Sequence, residues 1–264
     1  MNAIPFTEEL VARLAGARRV AVLTGAGISA ESGVPTFREP GGIWERFRPE
    51  ELANVDAFLA NPALVQAWYA HRRAVVEEAA PNAGHLALAE LARVVVARGG
   101  SFVLATQNVD GLHERAGSGA ADAGTLLELH GSLRRTYCAD CGADAGAGAL
   151  DALAAGAVAR CAACDGPLRP DVVWFGEELP AEAFRAATRA AQTAEVYLSV
   201  GTSAAVYPAA GLPLLARDCG AYVAEVNPRR SDIADELDEH VAAPAGVALP
   251  ALQDRVRERA PAGW

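Results

Sequence analysis

Four cysteines stand as two C-x2-C pairs, Cys138/Cys141 and Cys161/Cys164, with 19 residues between the pairs. Thiolates at that spacing suit a tetrahedral Zn2+, and four protein ligands leave no open position for catalysis, so the ion would be structural. Disulfides are the competing reading, and the cytoplasmic setting inferred below speaks against them. A second set follows an apolar run in "TQNVDGLHERAG" (106–117), with Gln107, Asn108, Asp110 and His113, and a third ends another run in "LELHGS" (127–132), with His130. Amides, a carboxylate and a histidine at one edge could hold a polar ligand and move a proton. Singly, Asn and Asp also make turns, and a lone histidine is more often structural. "GAGISA" (25–30) fits G-x-G-x-x-[GA] after a strand. Its glycines could let backbone N–H groups approach a pyrophosphate, or simply form a tight turn. The chain then enters "ESGVPTFREPGGIW" instead of a second strand with an acidic residue some 20 positions on, which disfavours an ordinary hydride-transfer dehydrogenase. Tyr69 and Arg72 in "AWYAHRRAV" lie three apart and share a helical face. A solvated face with a snorkelling arginine is the ordinary reading of such a pair, and Arg73 beside it reads as surface.

These groups need elements that bring them together. "TEELVARLA" (7–15) predicts a helix, with Thr7 as N-cap, Glu8 and Glu9 at the positive end and Gly16 as the stop. "RRVAVLTGAG" predicts a buried strand entering a tight turn, and similar runs recur at 101–108, 125–131, 195–203 and 221–227. Helical patterns occupy 85–98 and 180–194. This alternation predicts an α/β fold, a parallel sheet with helices on both faces. The runs end in small or polar residues: Thr24-Gly25-Ala26-Gly27, Thr106-Gln107-Asn108, Gly201-Thr202-Ser203 and Glu225-Val226-Asn227. Open parallel sheets bind ligands beyond those carboxyl ends. Residues 40–76 and 132–170 break the alternation and read as insertions that together form a smaller domain; "AGALDALAAGAVA" in the second could be helix or loop. The C-terminal stretch from Pro244 ends in a helix, and Cys219 in "ARDCGAY" reads as a small buried apolar residue.

Composition narrows the classes. A chain of 264 residues, 52% hydrophobic, can bury a full core in one large domain or in one domain plus a smaller insert. It has no run of about eighteen apolar residues. Its start, "MNAIPFTEEL", lacks the basic and apolar regions of a secretory signal, so a cytoplasmic protein with no membrane partner is expected. The net charge of −10 argues against a nucleic-acid partner. All 23 basic residues are arginine. The missing lysine excludes a P-loop lysine, a Schiff base and a pyridoxal-phosphate lysine, and leaves the chain no side-chain amine of its own to be acylated.

Together, "GAGISAESGVPTFRE", "TQNVDGLHERAG", "ELHGS", the cysteine pairs, "GPLRPDVVWFGEELP", "GTSAAVYP" and "EVNP" resemble the sirtuins, the NAD-dependent protein lysine deacylases. They run in family order from about residue 19 to 230. The resemblance implies a Rossmann-like NAD-binding domain of residues 1–40, 77–131 and 171–264. It implies a small domain of a helical module (41–76) and a zinc module (132–170) carrying one structural Zn2+ per chain. By the same resemblance Gly25, Ala26, Gly27, Ala30, Thr36, Phe37, Arg38 and Trp44 belong to the NAD-binding turn and its cofactor loop. Gln107, Asn108 and Asp110 hold the nicotinamide ribose and carboxamide. Gly201, Thr202, Ser203 and Asn227 lie along the adenosine and phosphates, and Ala245 reaches toward the adenine. His130 is the general base, with Asn108 and Asp110 beside it in the catalytic group. Val172, Trp174, Phe175 and Gly176 belong to the strip on which an acylated-lysine peptide adds as a strand. The implied chemistry is loss of nicotinamide, attack of the acyl oxygen on ribose C1′, and proton removal from the ribose diol by His130. Free lysine, nicotinamide and O-acyl-ADP-ribose result.

Within that family the chain resembles the branch often called class III, marked by a Tyr-x-x-Arg at the floor of the acyl pocket. "AWYAHRR" supplies it as Tyr69 and Arg72, and Ala53 matches a small residue that widens the pocket. The resemblance therefore implies a preference for succinyl or malonyl groups, with acetyl as a further substrate. A buried acyl carboxylate must be paired, and a guanidinium fork with a phenol supplies three donors. Two other functions compete: mono-ADP-ribosyl transfer, which shares the nicotinamide cleavage, and a non-catalytic NAD-sensing or zinc-ribbon binding module. The presence of His130, Asn108 and Asp110 argues against the last.

Overall fold

The computed structural model describes residues 6–34, 52–151 and 156–259. The chain opens with α1 (Glu8–Gly16), β1 (Arg19–Thr24), α2 (Val55–Ala60), α3 (Pro62–Glu78) and α4 (Ala83–Ala97). There follow β2 (Ser101–Thr106), α5 (Leu112–Arg115), β3 (Thr125–Glu128), β4 (Gly131–Cys138) and β5 (Leu168–Val172). The last third holds α6 (Ala181–Thr193), β6 (Val196–Val200), α7 (Leu212–Asp218), β7 (Tyr222–Val226), β8 (Glu239–Val241) and α8 (Ala245–Arg259).

Six strands pair in parallel in the order β3-β2-β1-β6-β7-β8. The short apolar runs are buried on both faces because helices cover both. Successive residues divide between the two layers at the period of a strand. Val20, Val22, Leu104 and Leu198 join Leu10, Leu14, Leu88 and Leu252 of α1, α4 and α8. Ala21, Leu23, Tyr197 and Val223 join Ala187, Ala191 and Leu212 of α6 and α7. Helix α1 starts as its sequence predicts, with Thr7 Oγ1 accepting from Leu10 N at 3.1 Å. Strand β8 escapes sequence reading, since Glu239-His240-Val241 shows no apolar run.

The strand order reverses between β1 and β6, so the loops after these two strands flank the crevice where open α/β sheets bind ligands. Those loops touch backbone to backbone. Gly25 N donates to Val200 O at 3.0 Å and Gly27 N to Gly201 O at 2.8 Å. A Cβ on Gly27 would stand 2.7 Å from Gly201 O, and one on Gly201, at φ +60°, would stand 2.4 Å from Ile28 N. Both glycine amides are spent on the end of β6 and the loop that follows it. Among the described residues only Ala26 N–H of the turn's first three lacks a protein acceptor.

A second cluster forms where α2 and α3 meet the antiparallel pair β4–β5, around Phe58, Val65, Tyr69, Leu133, Val172 and Trp174. Gln66 stitches α3 to the cysteine segment, donating to Ala159 O and Leu168 O and accepting from Ala159 N. Arg73 is not on the surface, as the sequence reading had it. It is 4% exposed and donates to Thr136 Oγ1 at 3.0 Å. It lies in the helical stripe Gln66-Tyr69-Arg73-Val76 that α3 turns toward its neighbours. Cys219 is likewise exposed, not buried, because it caps the C-terminus of α7 ahead of the left-handed Gly220.

Gly201→Ala is expected to cost roughly 2–4 kcal/mol, since it adds both a left-handed conformation and a backbone clash. Urea denaturation checks this, and an unchanged midpoint would show that the two loops can separate at little cost.

Candidate active site

Beyond the ends of β1 and β2 the polar side chains form one network. Thr24 and Thr106, opposite each other in the ladder, share a hydrogen bond of 2.8 Å. Asn108 donates through Nδ2 to Gly25 O (3.1 Å) and to Ser29 Oγ (3.2 Å), so both amide protons are used. Ser29 donates to Asp110 Oδ2 at 2.7 Å, and Asp110 Oδ1 accepts from Leu112 N at 2.9 Å. Burial pushes the Asp110 carboxyl above its ordinary range, against these two bonds. His85 closes the network from behind. Its Nδ1 accepts from Asn82 N, which leaves the proton on Nε2, 3.4 Å from Ser29 Oγ. Burial drives the His85 pKa down to about 4. His113, in contact with the His85 ring, is held well below the usual histidine range by burial and by that neighbour. Its Nε2 meets Thr24 Oγ1 at 2.9 Å, and its Nδ1 has no partner.

His130 sits one residue before β4. Its Nδ1 lies 2.9 Å from the Gln107 carbonyl, which can only accept, so the proton is on Nδ1 and Nε2 is a free base. Burial lowers its pKa, partly offset by that hydrogen bond, so the ring is neutral at neutral pH. Gln107 is fixed in turn by donation to Thr202 Oγ1 at 3.1 Å, and Asn227 donates to Thr202 O at 3.0 Å. The ends of β1, β2, β6 and β7 are thereby connected. Ser203 accepts from Asp232 N, Ala30 opens a 3-10 turn after Ser29, and Ala245 packs at the start of α8 against Gly84. Thr36, Phe37, Arg38 and Trp44 lie outside the described residues.

The opening pair is buried: Tyr69 is 1% and Arg72 9% exposed. Trp174 Nε1 donates to Tyr69 Oη at 2.9 Å. The Arg72 guanidinium stands 4.7 Å from the Trp68 ring centre and 5.6 Å from that of Tyr69. Burial raises the Tyr69 pKa, with Arg72 opposing, and lowers that of Arg72, with Tyr69 and Asp110 opposing. Arg72 thus feels the carboxylate of the strand-end network. The strip Val172–Gly176 is anchored between the two clusters. Val173 N donates to His130 O, Trp174 N to Glu177, and Phe175 N to the Ala53 carbonyl. Phe175 is half exposed. The four cysteine sulfurs lie within 4.8 Å of one another, with Cys138–Cys164 at 3.4 Å and Cys141–Cys161 at 3.7 Å. These exceed an S–S bond and approach the ~3.8 Å edge of a tetrahedron with Zn–S of about 2.3 Å. The donor set fits one structural zinc ion.

Sequence reading missed Ser29, His85 and the tie between Trp174 and Tyr69. Ser29 carries a faint signal, as the hydroxyl inside "GAGIS"; His85 reads only as the third residue of a helix.

Comparison with known proteins follows the same lines. The sequence profile of the Sir2 family matches residues 25–208. The chain is 50% identical over 246 residues to NAD-dependent protein deacylase 2 of Pyrobaculum aerophilum, covering 93% of this chain and 94% of that one. The fold superposes on a Sir2 homologue in complex with NAD at a TM-score of 0.86 and 41% identity, covering 98% and 96% of the two chains. It also superposes on a Sir2–p53 peptide–NAD+ complex at 0.81 and 29% identity, covering 95% and 98%.

Metal content is expected to be one zinc per chain. Its removal by a chelator should unfold the β4–β5 segment first, because apo cysteine clusters lack the binding energy that holds them. Elemental analysis with circular dichroism during chelation checks both, and a zinc-free chain of unchanged stability would refute it.

Proposed function

The chain belongs to the Sir2 family, and we propose that it is an NAD-dependent protein lysine deacylase that prefers acyl groups ending in a carboxylate. NAD would supply the ribose C1′ that receives the acyl oxygen as nicotinamide departs. The residues of this chain suit that chemistry. Ala26 N–H, Ser203 and Asn227 line the crevice at the switch point and would hold phosphates and the adenosine ribose. Asp110 and Asn108 would hold the carboxamide and the inner ribose. His130, neutral and with Nε2 unoccupied, would accept a proton from the ribose diol. Gln107 O keeps the imidazole in the tautomer that can do so.

The single observation carrying the deacylase reading is His130, held by Gln107, which Thr202 fixes from β6. The acidic-acyl preference rests on the buried Tyr69–Arg72 pair. A guanidinium taken out of water beside a phenol is costly, and a carboxylate arriving between them offsets that cost through charge-assisted bonds. An acetyl group ends in a methyl and offers the guanidinium no charge to pair. The substrate peptide would add along Val172–Gly176.

A peptide carrying succinyl-lysine and its acetyl-lysine twin provide the test, each with and without NAD. Arg72→Ala should lower kcat/KM on the succinyl peptide about 10- to 100-fold more than on the acetyl peptide, the equivalent of one charge-assisted pair. Equal losses on both would remove the carboxylate clamp. ADP-ribose on protein without O-acyl-ADP-ribose would indicate the transferase instead. For His130, kcat/KM should hold as pH falls past the ordinary histidine value of 6.5 and decline only below it, since the lowered pKa keeps the base unprotonated. His130→Ala should abolish this limb along with turnover. A limb centred above 7 would assign the base elsewhere.

A further inference from the structure

We infer that Trp174 is a specificity-determining residue of the acyl site, acting through Tyr69 by making its hydroxyl a donor only. This rests on the acidic-acyl reading above and extends it. An indole N–H can only donate, so Trp174 Nε1, at 2.9 Å, takes a lone pair of Tyr69 Oη. Among the described residues, the other polar group against that hydroxyl is the Arg72 guanidinium, which also can only donate. The Tyr69 proton therefore has no acceptor in either neighbour and is left for a third partner, which must accept. A carboxylate is acceptor-only; a hydrocarbon tail such as the acetyl methyl gives this proton nothing. Tyr69 and Trp174 are both under 3% exposed, so water cannot easily take the carboxylate's place.

The orientation is enforced from beyond the pair. The Arg169 guanidinium lies 3.5 Å from the centre of the Trp174 ring and donates to both oxygens of Glu177, at 2.7 and 2.9 Å. Glu177 also accepts from Trp174 N at 2.7 Å, and Arg169 donates to Val172 O at 2.9 Å. Backbone and ring of Trp174 are thus held at once, with Phe58 packed on the ring at 5.1 Å between centres. The indole cannot turn its N–H away from Tyr69 without breaking the stack.

Trp174→Phe keeps an aromatic ring for Arg169 and Phe58 and deletes only the donor. Freed of it, the Tyr69 hydroxyl can turn its proton elsewhere. The ratio of kcat/KM on succinyl-lysine to that on acetyl-lysine is expected to fall roughly fivefold to tenfold, the loss of one buried hydrogen bond's direction. Tyr69→Phe should lower the ratio similarly, and the double variant should fall no further than either alone. Wild-type preference for succinyl with an unchanged ratio in Trp174→Phe would overturn this inference and leave the acidic-acyl reading standing. Additive losses in the double variant would do the same. Wild-type preference for acetyl would overturn that reading and this inference with it. Should Trp174→Phe fold poorly, Tyr69→Phe in the wild-type background gives the decisive ratio: no change there excludes a directed hydroxyl.

Discussion

Two loops that touch through bare backbone hold the site together. Gly25 and Gly27 after β1 meet Gly201 after β6 with no room for a Cβ on either side. This contact sits where the strand order reverses, and both sides of the crevice are built from it. From the first loop hang Ala26 and Ser29; from the second, Thr202 and, through its carbonyl, Asn227. Gln107 crosses to Thr202 and passes the same geometry on to His130. Separating the loops by the width of one methyl group would move His130 relative to Ala26 and Ser29.

The second feature is the direction of the hydrogen bonds. Buried groups here are ordered by partners that have only one role to play. A carbonyl fixes the proton of His130 on Nδ1. A backbone amide fixes that of His85 on Nε2. An indole fixes the lone pair of Tyr69. The first two partners leave the opposite ring nitrogen with one capability, base and donor respectively, and burial prevents water from scrambling it. Low dielectric also keeps both histidines neutral, as their lowered pKa values record.

Three arginines buried around the smaller cluster express the same economy in a chain without lysine. Arg72 stands against Trp68 and Tyr69, Arg73 reaches Thr136, and Arg169 stacks on Trp174 while gripping Glu177. A planar guanidinium can stack and donate at once, which an ammonium cannot. These contacts tie α3, β4 and β5 into one support for the Val172–Gly176 strip and the Tyr69–Arg72 pair.

Features whose physics is local are legible in the linear chain. Cysteine spacing specified the zinc set, because four thiolates in two C-x2-C turns can close on one ion whatever surrounds them. Apolar runs between helical patterns specified the parallel sheet, and the small residues ending them marked the ligand edge. What depends on which elements meet could only be decided by the tertiary structure. The pairing of β1 with β6 is what lets the amides of Gly25 and Gly27 bond Val200 and Gly201. Arg73 reads as surface in sequence, but its face of α3 is covered by β4. Cys219 reads as buried in sequence, but α7 ends there in solvent. Ser29, His85 and Trp174 carry no motif of their own; each gains its role from one neighbour remote in sequence. Hydrogen-bond direction and burial are pairwise properties of space, and a linear pattern records only one member of each pair.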